Sequence, residues 1–445
     1  MTRIAFIGAG SVVFTKNLLG DILALPALRD VEIALHDIDL ERLDAADAMA
    51  RWVAGEREAH PQISTHRDRR AAIDGADFVL NMVQIGGHEA TLRDFEIPER
   101  YGLRQTIGDT LGVGGIFRAL RTAPHMLALG HEMAELCPEA WLLNYSNPMA
   151  MLCQLVYQGT PTSRVVGLCH SVQALVRDLA ELVGVPHEEV TFLTAGVNHQ
   201  AFLLRFERDG ESLYPRLDER IAGDLGLQRR VRVALYRRFG YFQTESSEHA
   251  AEYVPWLMRH DEELEHYRIP VGEYIHRSEE NLVEFERVQG LLARGDAMPL
   301  ERSTEYAATI VNSTVTGEPS VVYGNVANTG LIPSLPEGTC VEVPCVVEAN
   351  GLRPTQVLDY PPQLAALNRT YANVVELTVR AVLDERPDYV RVAALLDPNT
   401  AATLTLDEVD ALCDELTAAH GDLIPEALRL PTAVRLGVNQ PMAAR

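Results

Sequence analysis

The 445-residue chain has no long hydrophobic run. Nowhere does it approach the ~18 uninterrupted apolar residues that a membrane-spanning helix needs, so helical membrane insertion is excluded. Positive charge is scarce. Thirty-nine Lys and Arg face 63 Asp and Glu, a formal net charge of -24, and that field would repel nucleic acid and anionic membranes while tolerating a small neutral ligand. Cysteine is sparse too: the six (Cys137, Cys153, Cys169, Cys340, Cys345 and Cys413) are scattered without a CxxC, which excludes a disulfide framework and predicts reduced thiols. The N-terminus passes from one Arg directly into a strand pattern, with no signal-peptide signature, so the expected location is cytoplasmic. Internal repeats and low-complexity linkers are also missing. What is present, 47% hydrophobic and 23% charged residues, is ordinary for a globular protein, and the length suits two closely joined domains.

In the first half, apolar runs at 4–8, 31–37, 77–83, 141–144, 164–169 and 190–196 alternate with helical stretches such as 40–53 and 171–183. The second of these stretches has Ser171 as its expected cap and Gly184 as its stop. This alternation predicts an α/β fold with a Rossmann-like, doubly wound parallel sheet. Beyond residue 200 the pattern changes: 229–238 is basic and helical, 321–326 and 341–347 read as strands, and the chain from 361 onward is mostly helical. The expected organisation is an N-terminal dinucleotide-binding unit, 1–196, joined to a C-terminal α+β unit, 197–445, in an architecture like that of lactate and malate dehydrogenases. Apolar faces on 364–383 and 407–418 predict a homo-oligomer, a dimer or tetramer.

The opening Arg3-Ile-Ala-Phe-Ile-Gly-Ala-Gly-Ser11 reads as a strand entering a Gly-rich turn. Gly8 and Gly10 allow a close backbone approach to a pyrophosphate, which Ser11 and the following helix N-terminus would face. The third glycine of the usual fingerprint is replaced by Val13. Support comes from Asp37 and Asp39 at the end of the second strand, where a carboxylate accepts hydrogen bonds from ribose hydroxyls and disfavours a 2′-phosphate. NAD is the expected cofactor. A helix cap is the competing reading of these aspartates.

Gly167-Leu-Cys-His-Ser-Val-Gln173 and Gly196-Val-Asn-His-Gln200 each end an apolar strand with a metal-capable side chain, Cys169 and His199. Ligands of doubly wound folds bind beyond the carboxyl ends of the strands, so both can face one crevice, and two protein donors leave open coordination positions. A structural thiol and a structural histidine remain the alternatives. Gly108, Gly112, Gly114 and Gly115 surround Asp109, a composition that predicts a mobile loop carrying a carboxylate over a ligand. Asn147, before Pro148, offers an amide for sugar hydroxyls. Arg118 and Arg121 are expected to serve the helix surface or a carboxylate partner.

With these segments together, the chain resembles glycoside hydrolase family 4 from end to end. The resemblance rests on Ile107-Gly-Asp-Thr-Leu-Gly112, Leu120-Arg-Thr122, Asn147-Pro-Met-Ala150, Cys169-His-Ser-Val172, Val197-Asn-His199, Gly240-Tyr-Phe-Gln-Thr-Glu-Ser-Ser-Glu-His249 and Gly317-Glu-Pro-Ser-Val-Val-Tyr-Gly-Asn325. Cys-His-Ser-Val is similar to the α-galactosidase branch, whereas phospho-sugar branches carry Asp or Asn after the cysteine. The family is an exception to two-carboxylate glycoside hydrolysis. The resemblance implies that Cys169 and His199 hold Mn2+, although thiolate and imidazole by themselves suit Zn2+ better. It also implies hydride removal from sugar C3 to NAD, deprotonation at C2, elimination, water addition and return of the hydride.

By resemblance Tyr241 is the base, with Tyr253 as fallback. Asp109 or His170 assists the leaving group, and Asn147 and Asn198 contact substrate. The implied activity is hydrolysis of small unphosphorylated α-galactosides such as melibiose. The alternatives are a uronidase or α-glucosidase of the same family, or a plain NAD-dependent 2-hydroxy-acid dehydrogenase.

Overall fold

A computed structural model describes residues 1–429; the last part of the predicted C-terminal unit, 430–445, lies outside the described residues. Thirteen strands among them form one sheet: β1 Arg3–Ile7, β2 Glu32–His36, β3 Gln62–His66, β4 Phe78–Asn81, β5 Trp141–Asn144, β6 Val165–Gly167, β7 Thr191–Val197, β8 Gln200–Arg208, β9 Glu211–Ser212, β10 Phe242–Gln243, β11 Ser320–Ala327, β12 Cys340–Glu348 and β13 Gly351–Pro354. Their order is β3-β2-β1-β4-β5-β6-β11-β12-β7-β8-β10, with β13 on β12 and β9 on β8. The first six strands are all parallel. They reproduce the 3-2-1-4-5-6 order of a dinucleotide-binding sheet, as the alternating pattern predicts. Strands such as β4, buried at every position, read as continuous apolar runs because helices cover both faces.

The predicted strand at 190–196 forms as β7 but is antiparallel to both its neighbours, β12 and β8. Toward β8 the reason lies in the connection. Only Asn198 and His199 separate β7 from β8, and two residues can close a hairpin but cannot make the crossover that a parallel strand requires. β3, with the sequence Gln62-Ile-Ser-Thr-His66, has no apolar run and went unpredicted; it is the sheet edge and is nowhere fully buried.

The helix expected from Ser171 spans Ser171–Leu182, but His170 occupies the cap position and the Ser171 hydroxyl faces the Cys169 thiol. Gly184, at φ 68°, stops it as predicted. The C-terminal helices Pro362–Leu383 and Leu406–His420 form, but Leu364, Val375, Val379, Leu412 and Leu416 are buried within this chain. The apolar faces assigned to an oligomeric partner are therefore covered by the chain's own elements. All six cysteines are buried. No helix among the described residues is long and apolar enough to cross a membrane.

Candidate active site

The first turn of the sheet builds one wall of a cavity of about 690 Å³. Gly8 (φ 86°) and Ala9 donate their N–H groups to His36 O, tying the turn to the end of β2. At Gly10 a Cβ would lie 2.5 Å from Asp37 Oδ2 and 2.6 Å from Arg42 Cβ, so only glycine fits. Asp37 accepts hydrogen bonds from Gly10 N (2.8 Å) and Asp39 N (3.0 Å) and lines the cavity. Asp39 caps the helix Leu40–Glu56 through bonds from Glu41 N (2.9 Å) and Arg42 N (3.2 Å), while also lining the cavity. Ser11 lines it without a capping bond.

The opposite wall was not legible in the sequence. Helix Glu273–Arg294 brings Tyr274, Ser278 and Phe285 to the cavity, and the Arg42 guanidinium lies 4.4 Å over the Phe285 ring. His88 Nδ1 lies 3.0 Å from Ser278 Oγ, linking this helix to the nucleotide-binding side.

Beyond the strand ends, Cys169 and His199 converge. Cys169 Sγ is 3.4 Å from His199 Nε2, and Glu245 Oε2 is 3.4 Å from that nitrogen and 3.9 Å from the sulfur. The three donor atoms fall within 4.8 Å of one another. His199 sits in the β7–β8 turn at φ 62°, a left-handed conformation that Gln243 secures by donating to His199 O at 2.7 Å. Its other ring nitrogen lies 3.2 Å from Thr110 Oγ1, the kind of outer contact that orients a metal-binding imidazole. Glu245 escaped the sequence reading because it comes from a segment 76 residues beyond Cys169. Its only signal was membership of the Thr244-Glu-Ser-Ser-Glu-His249 stretch.

The electrostatics suit a cation. Burial, reinforced by Glu245 and Glu342, pushes the Cys169 thiol well above its usual range. Burial pushes His199 down to about 4, keeping the imidazole neutral and able to donate a lone pair. Burial opposes ionisation of Glu245, yet His249, His199 and the Ser246 N–H together hold it down to about 2. A thiol, a neutral imidazole and a carboxylate in contact form a donor set that a divalent cation completes by ionising the sulfur.

Around this cluster lie the acid–base candidates. His249 stands between Glu245 (3.6 Å) and Asp109 (4.0 Å), its ring 4.6 Å from that of His199. Asp109 accepts from Asn147 Nδ2 at 3.0 Å and Thr110 Oγ1 at 2.8 Å, and Arg118 Nε donates to Asn147 O. The loop carrying Asp109 is not the mobile cover that its glycines suggested. Residues 105–111 are buried, and Gly114 is glycine because a Cβ there would meet Gly108 O at 2.5 Å.

His170 faces outward, its side chain 60% exposed, with Nδ1 3.3 Å from Glu305. The hydrogen bond to Glu305 raises its pKa above the usual imidazole range. Asn198 is fully buried in the turn with both amide atoms unpartnered. Tyr253, also buried, reaches Asn198 O at 3.4 Å. Tyr241 stands half-buried just before β10, and no hydrogen bond or ion pair joins it to Cys169, His199, Glu245 or Asp109. Arg121, expected on the helix surface or with a carboxylate partner, is buried and grips Asp94 in a two-pronged bond.

Two family models match the chain: the family 4 glycosyl hydrolase model over residues 3–185 and the family 4 glycosyl hydrolase C-terminal domain over 194–400. Among curated relatives, an alpha-galactosidase of Bacillus subtilis is 42% identical over 96% of this chain and 100% of its own length. An alpha-galactosidase of Rhizobium meliloti is 33% identical over 95% of this chain and 89% of its own length. Among solved structures, the 6-phospho-beta glucosidase of Thermotoga maritima with manganese, NAD+ and glucose-6-phosphate superposes with a TM-score of 0.80 at 20% identity, over 95% of this chain and 99% of that one. With both halves matched and the dinucleotide-type sheet in place, the chain belongs to the family 4 glycosyl hydrolases.

Proposed function

We propose that this protein is an α-galactosidase acting on small unphosphorylated galactosides and that it requires NAD and Mn2+. The observation that carries the reading is the Cys169–His199–Glu245 cluster, set beyond the strand ends of a sheet whose Gly8–Ser11 turn lines a dinucleotide-sized cavity. The alpha-galactosidase relatives and the NAD+ and manganese bound in the Thermotoga maritima enzyme support it. Gly8, Gly10, Ser11, Asp37 and Asp39 would hold the nucleotide, and Cys169, His199 and Glu245 the metal. The hard Glu245 oxygen makes this donor set better suited to manganese than a thiolate and imidazole alone. When bound, the two groups supply a hydride acceptor and a Lewis acid.

The chain's own residues do the rest. Asp109 holds a proton at the glycosidic oxygen or takes one from the attacking water, with His170 as the alternative at the outer edge of the site. Tyr241 accepts the proton from sugar C2. Tyr253 is the poorer base, because burial and its Tyr371, Asp109 and Glu245 neighbours push its pKa far up; its hydroxyl serves instead to anchor the Asn198 turn. Asn147 and Asn198 bind sugar hydroxyls. The carboxylates Asp109, Glu245 and Glu305 suit a neutral sugar and disfavour a phosphate or uronate. The division at residue 196, a cytoplasmic location and a homo-oligomeric state belong to the same proposal.

The test is hydrolysis of 4-nitrophenyl α-galactoside with NAD+ and Mn2+, against samples stripped of either. Activity that survives both removals would refute the reading, as would full retention of label by a C2-deuterated galactoside turned over in ordinary water.

A further inference from the structure

Glu245, His249 and Glu252 are spaced four and three apart, the spacing of one helical face, and two of them lie on the helix Ser247–Glu252. Glu245 joins the metal cluster and His249 stands beside Asp109. Glu252, 2% exposed, points into the backbone of the Gly-rich loop. Thr106 N donates to its Oε1 at 2.7 Å, Ile107 N to its Oε2 at 3.2 Å, and Gly108 N to both oxygens at 3.3 and 3.2 Å. Three consecutive N–H groups therefore end on one carboxyl group, and the next residue is Asp109. On the far side, Tyr371 donates to Thr110 O at 2.8 Å. Gly114 N donates to Gln105 Oε1 at 3.3 Å, closing the loop on itself. Asp109 is thus held between two fixed points, in a segment whose glycines would otherwise leave it free.

We infer that Glu252 is a positioning residue that aims Asp109 at the reacting sugar by gripping residues 106–108. This rests on the role given to Asp109 above. An amide at 252 retains one acceptor but turns an NH2 group against the loop's N–H donors, so Glu252→Gln loosens the grip at nearly constant volume. A displacement of about 1 Å at a reacting group costs on the order of 100-fold in rate. The expected result is a kcat loss of roughly 10- to 100-fold, with KM, NAD+ affinity and Mn2+ affinity within about threefold of the parent.

The decisive measurement is a double-mutant cycle with Asp109→Asn, together with amide hydrogen exchange across 105–111. If Glu252 acts through Asp109, Glu252→Gln costs less than about twofold in the Asp109→Asn background, and the amides of 106–108 exchange faster in the variant. An equal fold-loss in both backgrounds overturns the inference, and so does unchanged exchange at 106–108. Should Glu252→Gln fail to fold, Glu252→Asp, which keeps both carboxyl oxygens on a shorter stem, carries the same comparison with a smaller loss. Exchange is read without substrate, so a lack of any galactosidase activity would count against the proposed function and leave the exchange result to decide whether the grip exists.

Discussion

Glu342 on β12 offers a sharp test of the electrostatics beneath the site. The group is fully buried, its Oε1 3.5 Å from the Asn325 amide nitrogen, its Oε2 without a partner. Burial, with the Glu245 charge in support, pushes its pKa up to about 8. Near pH 4.5 the unfolded chain begins to release this proton, while the folded chain keeps it until about pH 8. The folded state therefore binds more protons across that window, and stability falls as pH rises through it. One proton amounts to about 1.4 kcal/mol per pH unit, or about 3 kcal/mol between pH 5.5 and 7.5. Glu342→Gln removes the titration and keeps the shape, and the new amide can donate to Asn325 Oδ1, itself a buried acceptor without a donor. Urea denaturation of both proteins in EDTA, without NAD+, at the two pH values reads the difference. The variant is expected to gain about 3 kcal/mol on the parent as pH rises. Glu252, up to about 8, and Asp397, up to about 6, drive the same trend in both proteins and cancel in the comparison. A difference between variant and parent that stays constant with pH would refute the reasoning, since it would mean that Glu342 is ionised throughout.

Three further outcomes follow from the geometry. Cys169→Ser and Glu245→Gln should each weaken Mn2+ binding by about 100-fold or more, beyond the 10- to 100-fold cost of losing an outer-shell partner, as read from the electron paramagnetic resonance signal of free Mn2+; unchanged affinity in either would remove that residue from the metal site. Gly10→Ala drives a Cβ against Asp37 Oδ2 and should lower NAD+ affinity at least about tenfold in calorimetry without affecting Mn2+ binding. Asp94→Ala strips the carboxylate from Arg121 and His420, all three buried, and should cost about 3–5 kcal/mol in chemical denaturation; a cost under about 1 kcal/mol would show that water relieves the stranded charge.

The parallel half of the sheet was legible because strands covered on both faces become apolar runs, and because Gly8, Gly10 and Asp37 meet at one turn. β3 was not, because a polar edge strand leaves no hydrophobic period to read. The apolar runs also located Cys169 and His199 at strand ends, but nothing in their spacing pointed to Glu245, which arrives from another segment through tertiary folding. The Gly-rich loop misled for a physical reason. Glycine serves equally where a chain must move and where backbone must pack against backbone, and only the contacts at Gly114 and the N–H bonds to Glu252 separate the two. Helix Glu273–Arg294 was hidden in a similar way. Only Val288 is buried on it, so its sequence shows a polar helix and not the cavity wall that it forms.

How Cys169 and His199 meet is constrained by the sheet order. β6 and β7, which deliver Cys169 and His199, are not neighbours, since the β11–β12 hairpin lies between them. Three strand spacings amount to about 14 Å, yet the sulfur and the imidazole nitrogen are 3.4 Å apart. The hairpin meets β6 through the single pair Asn325–Gly167 and β7 through the single pair Glu342–Gly196, while Asn325 and Glu342 pair with each other. Those flanking pairs lie at the C-terminal ends of β6 and β7, so past them neither strand is held by the hairpin, and Val197 pairs only with Gln200 of β8. The two-residue turn then keeps His199 from straying, because its carbonyl is bonded to Gln243 and its ring to Thr110. A parallel dinucleotide-type sheet ordinarily has its switch point between two of its own strands. Here the pairing changes from parallel to antiparallel between β6 and β11, where Asn325 lies beside Gly167. The Cys169–His199–Glu245 cluster and the cavity lined by Gly8, Gly10 and Ser11 are thus both carried by one continuous sheet.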